Sequence, residues 1–383
     1  MLRSRAAPTS RPLSAGYGAG QRCAIARQPS ALCSPPSPPA PHQLRSPTAD
    51  TDRAFADGGH SLDFTNKAFE CLDLIGWEHA NAALPTVVGQ MVAARGAEES
   101  TAWRQPIDLI ALCTEAAAEL PDLFAARPNM HGWSDHAALA RALLGDHPVA
   151  IMDALKAAIR AGAIASDLGR SLAYAAALRL ARFGTANEHA DWETAHHVFT
   201  YANAIKRIGT ADRDGHIEAV HGVLHGAMAL YLARYLNVPP ARIPGEGSEP
   251  LDDLPANAEE IRVALLDVFD RQRQVDLAAR LVARHLTLGH SVQSLIAILA
   301  RALLREDAGF HAYQVLDAGV RQFGEWGNTD EGRHILIAVV RFSLRIRLRN
   351  APNCKRPTSH SGSCVAVSFI RIPQPERWTA SLT

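Results

Sequence analysis

The sequence predicts an all-α protein, a single array of about a dozen helices built from αα-hairpins. Three observations carry that expectation. From Ser61 to Arg345 nearly every segment sets apolar residues at the 3.6-residue period. No alternating Val/Ile/Thr run is bounded by an Asn-Gly or Asp-Gly turn, so strands have no support. The breaks between periodic segments fall at capping residues.

Taken in order, "LDFTNKAFECLDLIG" places Leu62, Phe69, Leu72 and Ile75 on one broad face, and Gly76 follows as a stop. "AIMDALKAAIRAGAIA" repeats apolar residues at i, i+3 and i+4 and breaks at Gly162. "DLGRSLAYAAALRLARFG" is rich in Ala and Leu, strong helix formers, and ends at Gly184. The Ala195–Leu236 stretch reads as two amphipathic helices parted near Gly209. "EEIRVALLDVFDRQRQVDLAARLVARHL" carries charge on one side and aliphatics on the other. "SVQSLIAILARALL" and "RHILIAVVRFSLRIRL" are apolar enough to be central. Ser134-Asp135, Ser166-Asp167, Asp191 and Thr329-Asp330 offer N-terminal caps. Residues 236–260 form the one long interior loop, because their Pro and Gly content excludes helix.

The helical body is expected over residues 56–347, flanked by disordered tails at 1–55 and 348–383. Nine prolines precede position 50, and neither tail has a helical or strand period. The Arg-rich, acid-free N-terminus also has the composition of an organelle transit peptide. The favoured expectation is a bacterial cytoplasmic protein with extensions unrelated to its body. A net charge of zero hides a segregation. Residues 1–49 hold six Arg and no acid, residues 341–383 hold eight basic residues and one acid, and the middle holds 25 basic against 38 acidic. An acidic body argues against a nucleic-acid partner. No apolar run approaches the roughly 20 residues that would cross a bilayer. Of six cysteines only Cys71 and Cys113 lie in the body, with no metal-knuckle spacing, and both read as small buried residues.

Seventeen histidines are the chemical signal. A loose internal repeat begins at His60 ("HSLDFTNKAF"), His197 ("HVFTYANAI") and His311 ("HAYQVLDAGV"), each followed by a second helix. His221 and His225 share a face at i, i+4, as do Asp307 with His311 and Asp330 with His334. Adjacent His196 and His197 point about 100° apart on a helix, so one is expected inward; His197 is preferred because Tyr201 and Ala204 continue its face. Helix pairs presenting imidazole and carboxylate in this way build metal sites suited to Fe, Mn or Zn. The Glu-x-x-His signature of such bundles is read once, at Glu331 and His334. The expected metal ligands are His221, His225, His311 and Asp307, with His60, His197 and His334 as acid/base groups lining the same pocket. His79, His131, His136, His147, His189, His216 and His285, near helix ends or loops, are expected to be structural. No Gly-x-Gly-x-x-Gly, Walker loop, Gly-x-Ser-x-Gly or His-Glu-x-x-His occurs.

Four stretches carry a resemblance: "FTNKAFECLDLIGWEHANAALPTVVGQMVAARGAEESTAWRQPIDL", "DWETAHHVFTYANAI", "HGVLHGAMALYLARYLNVPPARIP" and "ALLREDAGFHAYQVLDAGVRQF". Over residues 60–343 the chain resembles the helical region of bacterial proteins that also carry a Rieske [2Fe–2S] domain. The Cys-x-His and Cys-x-x-His ligand pattern of that domain is absent here, so no [2Fe–2S] cluster is expected on this chain. The resemblance implies a redox setting and a Rieske-type electron-transfer partner. "HSLDFTNKAF" and "HGVLHGAMAL" are also similar to questin-oxidase-like proteins, helical oxygenases. The resulting expectation is an oxygenase-like oxidoreductase body acting on a small organic substrate; the competing one is a non-catalytic helical module that docks a redox partner.

Overall fold

The computed structural model describes residues 57–94, 107–127, 132–211, 217–236, 239–247, 250–271, 274–305 and 308–347, all within one compact unit. The expectations for the two tails, and those for His131, His216 and Asp307, fall outside these residues. The described residues are helical and contain no strand, as the periodicity predicts. None of their helices is long and apolar enough to cross a membrane.

A 3-10 turn, η1 (Asp57–Gly59), leads into α1 (His60–Ile75); η2 (Trp77–His79), α2 (Ala80–Ala83) and α3 (Pro85–Ala94) follow. Then come α4 (Leu109–Ala126), α5 (His136–Leu143), α6 (Pro148–Arg160), α7 (Ala165–Ala181), α8 (His189–Ala211) and α9 (Ile217–Leu232) with η3 (Ala233–Leu236). After the long loop, α10 (Ala258–Arg271), α11 (Val275–Thr287), α12 (Val292–Leu304), α13 (Phe310–Trp326) and α14 (Asp330–Arg347) complete the array. Thr329 caps α14 through Gly332 N–H, while Asp167 and Asp191 act from inside the first turn, accepting from the Ile164 and Glu188 amides. Gly209 lies in the last described turn of α8, two residues before its end at Ala211.

The core is organised around α7 and α8. From Leu168 to Ala181 every α7 residue except Arg170 is buried, because its run of alanines lets α5, α8, α9 and α14 close in on different sides. A Cβ at Gly169 would stand 2.9 Å from Lys206 Cα, so the α7–α8 approach requires glycine there. Fully buried Trp192, Phe199 and Tyr201 fill the α8 side, each contributing roughly 2–3 kcal/mol by burial. Arg341, also fully buried, ties α14 to its surroundings: it donates to Asp276 Oδ1 at 2.6 Å and to the Phe183 carbonyl at 2.7 Å. α1, α9, α13 and α14 all pack against α8, leaving it no solvent-facing stripe over its middle turns.

Candidate metal centre

Three helices bring a histidine to one point. His60 opens α1, His311 is the second residue of α13, and His197 lies in the middle of α8. Their Nε2 atoms form a near-equilateral triangle, with His60–His197 at 3.1 Å, His197–His311 at 3.3 Å and His60–His311 at 3.4 Å. Hydrogen bonding cannot satisfy such a triangle. Each Nε2 either carries a proton or offers a lone pair, and three atoms with two states leave at least one pair alike. The point equidistant from the three nitrogens lies about 1.9 Å from each, close to the roughly 2.0–2.1 Å at which imidazole holds a metal, so the three residues could hold one. All three lone pairs would then serve one cation.

The surrounding groups suit that role. His311 Nδ1 donates to Glu193 Oε2 at 2.7 Å, which fixes the ring and turns Nε2 toward the other two histidines. Glu193, His196, His197 and His311 each offer a ligand atom within 4.8 Å of the others, so the His/Glu cluster can hold a metal ion. His196 is fully buried against Phe342, with ring centroids 4.4 Å apart. Its Nδ1 lies 3.4 Å from the Trp192 carbonyl, and its Nε2 has no hydrogen-bond partner among the described residues. Such an orphaned nitrogen beside the triangle is a natural further donor.

Burial, and then the other imidazoles, hold His197 down to about 3; the same causes push His196 well below the usual histidine range. The His196 and His197 rings are therefore neutral, the form a metal requires. The backbone before His60 accommodates this packing. Gly58 has φ 61°, and a Cβ there would fall 2.7 Å from His197 Nδ1. On the outer side, Phe64 and Phe310 flank His60 with ring centroids 5.4 Å apart, and Phe310 is half exposed.

Of the residues singled out from sequence, His60, His197 and His311 meet, as the internal repeat suggested. His221 and His225 lie on α9 with ring centroids 4.9 Å apart and do not belong to the convergent set among the described residues. His334 stands in a different place. Its Nδ1 is 3.0 Å from Tyr174 Oη and its Nε2 is 3.2 Å from Glu246 Oε1, so it pins the long loop to the helical body. Arg182 holds the same carboxylate at 3.2 Å. The expectation that only one of His196 and His197 faces inward is corrected: helices surround α8, so both do. Glu193 and His196 were missed, although Glu193-Thr194-Ala195-His196 is itself a Glu-x-x-His. His136 and His285 have the structural roles expected of them, bonded to Ser171 and the Ser291 carbonyl.

No protein-family model matches the chain, and neither a curated protein nor a solved structure does.

Proposed function

We propose that the helical body is an oxygenase-like oxidoreductase whose centre is one non-haem metal held by His60, His197 and His311. The observation that carries this reading is the Nε2 triangle with Glu193 seated on the far nitrogen of one member. Three imidazoles leave positions open on the metal, the arrangement of a catalytic site and not of a closed structural one. His196 Nε2 is a candidate for one of these, and a small organic substrate would approach another past Phe64 and Phe310. Imidazole with carboxylate suits Fe, Mn or Zn. Iron or manganese would give the site one-electron chemistry and a use for a Rieske-type donor. Zinc would limit it to Lewis-acid work.

Within this reading the chain's own residues have distinct tasks. Glu193 orients the His311 ring. The buried surroundings of His196 and His197 keep those two rings neutral and strengthen electrostatics at the centre. The test is metal content by mass spectrometry on the full chain, wild type beside His197→Ala/His311→Ala. Near-stoichiometric iron or manganese, lost in the double variant, is the expected result. Stoichiometric zinc would remove the redox part of the reading. No metal in the wild type would overturn it in favour of the docking module.

A further inference from the structure

Donor atoms continue outward from the centre along α8. His189, Glu193 and His197 follow one another at i, i+4 and i+8, so they lie along one stripe of that helix. His189 is its first residue, and His189 and Glu193 each keep 23 % of the side chain in solvent. His189 Nε2 lies 3.6 Å from Glu193 Oε1. That is long for a hydrogen bond and close to the roughly 3.4 Å between two donors of one tetrahedral cation. The second carboxylate oxygen serves the interior: Glu193 Oε2 is 2.7 Å from His311 Nδ1 and 3.9 Å from His196 Nδ1. From there Glu193, His196, His197 and His311 offer ligand atoms within 4.8 Å of one another. A strip of donors therefore runs from the start of α8 to the histidine triangle, with no gap wider than 4.8 Å.

The finished centre does not call for the outer end of this strip. Its three nitrogens come from His60, His197 and His311, and Glu193 holds His311 without help from His189. The approach of a cation does call for it. An ion leaving water must exchange its hydration shell ligand by ligand, because stripping it bare first costs far more than any one contact returns. Phe64 and Phe310, on the outer side of His60, offer no lone pair for such exchange. The α8 strip offers one at every step. Its inner end includes fully buried His196, whose Nε2 no hydrogen bond takes up among the described residues.

We propose that His189 and Glu193 form the entry position of the centre, a pair that takes a divalent cation from solvent and hands it inward to the three histidines. The inference rests on the metal reading and adds to it a site occupied only in passing. On entry, water ligands give way to His189 Nε2 and Glu193 Oε1. On transfer, the inner imidazoles replace those two donors, while Glu193 stays bonded to His311 through Oε2. Ligands are exchanged and no electron moves.

The test is the rate of Co²⁺ uptake by the metal-free full chain, followed through the visible absorption of cobalt. Release into excess chelator and chelator competition supply the off-rate and the affinity. A residue met only on the way slows uptake and release by the same factor and leaves affinity alone; a residue that holds the bound metal speeds release and weakens affinity. His189→Ala should slow both rates roughly tenfold, the low end of what a favourable approach adds to an on-rate, with affinity and stoichiometry unchanged. His189→Asp puts a donor back and should restore both rates. Uptake at the wild-type rate in His189→Ala, a loss of affinity there, or no recovery in His189→Asp overturns the proposal and leaves the metal reading standing. A wild type that binds no Co²⁺ overturns both.

Discussion

Replacing Gly58 by Ala should damage the centre without touching a ligand. A Cβ at this position would stand 2.7 Å from His197 Nδ1, where ordinary contact begins at 3.4 Å. The ring must therefore retreat by about 0.7 Å, the difference of those distances. Metal–ligand distances tolerate only about 0.2 Å. Displacing one of three nitrogens by several times that margin should weaken metal binding by roughly 10–100-fold, the scale on which disturbed supporting groups act. The left-handed backbone adds about 1–2 kcal/mol of strain for any L side chain. Gly289→Ala separates the two effects, because Gly289 has φ 72° but nothing lies within 4 Å of the added Cβ. Competition with a chelator would measure affinity and thermal unfolding would measure stability. Both variants should lose stability, but only Gly58→Ala should lose affinity. A Gly58→Ala protein that binds metal like the wild type, or a Gly289→Ala protein equally impaired, would refute the reasoning.

Three further outcomes follow from the same geometry. Because burial holds the His197 folded-state value near 3 against 6.5 for the free side chain, the unfolded state takes up the proton first as pH falls. Stability of the metal-free protein should be full above 6.5 and decline from there towards 3. His197 alone should remove on the order of 1–2 kcal/mol by pH 5, read by denaturant unfolding. Tyr174→Phe removes the hydroxyl bonded to His334 and should cost about 1 kcal/mol while leaving metal content unchanged. Loss of metal in that variant would place His334 in the centre after all. Arg341→Leu strands the Phe183 carbonyl inside the core and should cost roughly 2–3 kcal/mol in denaturant unfolding; an unchanged midpoint would contradict the tie described for α14.

The fold was legible because an all-α array depends on local periodicity and caps, both of which are written in the chain. The three converging histidines were legible for a related reason: "HSLD", "HVFT" and "HAYQ" repeat one local arrangement, a histidine with an aromatic residue or leucine two positions on. Their partners were harder to read. The i, i+4 rule favoured His221 and His225, but it says only that two side chains share a face, not which helix that face meets. The adjacent pair His196 and His197 was judged as though α8 had an outside, and its surround of neighbours is a tertiary fact. Glu193 reaches His311 across 118 positions of sequence, and no spacing rule links them. His334 was drawn away by Tyr174 and Glu246, the latter from a loop whose path the sequence does not specify.

The most direct test of the centre is X-ray absorption fine structure on the Zn²⁺-loaded chain, compared with His60→Ala. The account predicts a shell containing at least three imidazole nitrogens at about 2.0–2.1 Å, with one fewer in the variant. A shell of oxygen or sulfur, or an imidazole count unchanged by His60→Ala, would contradict it.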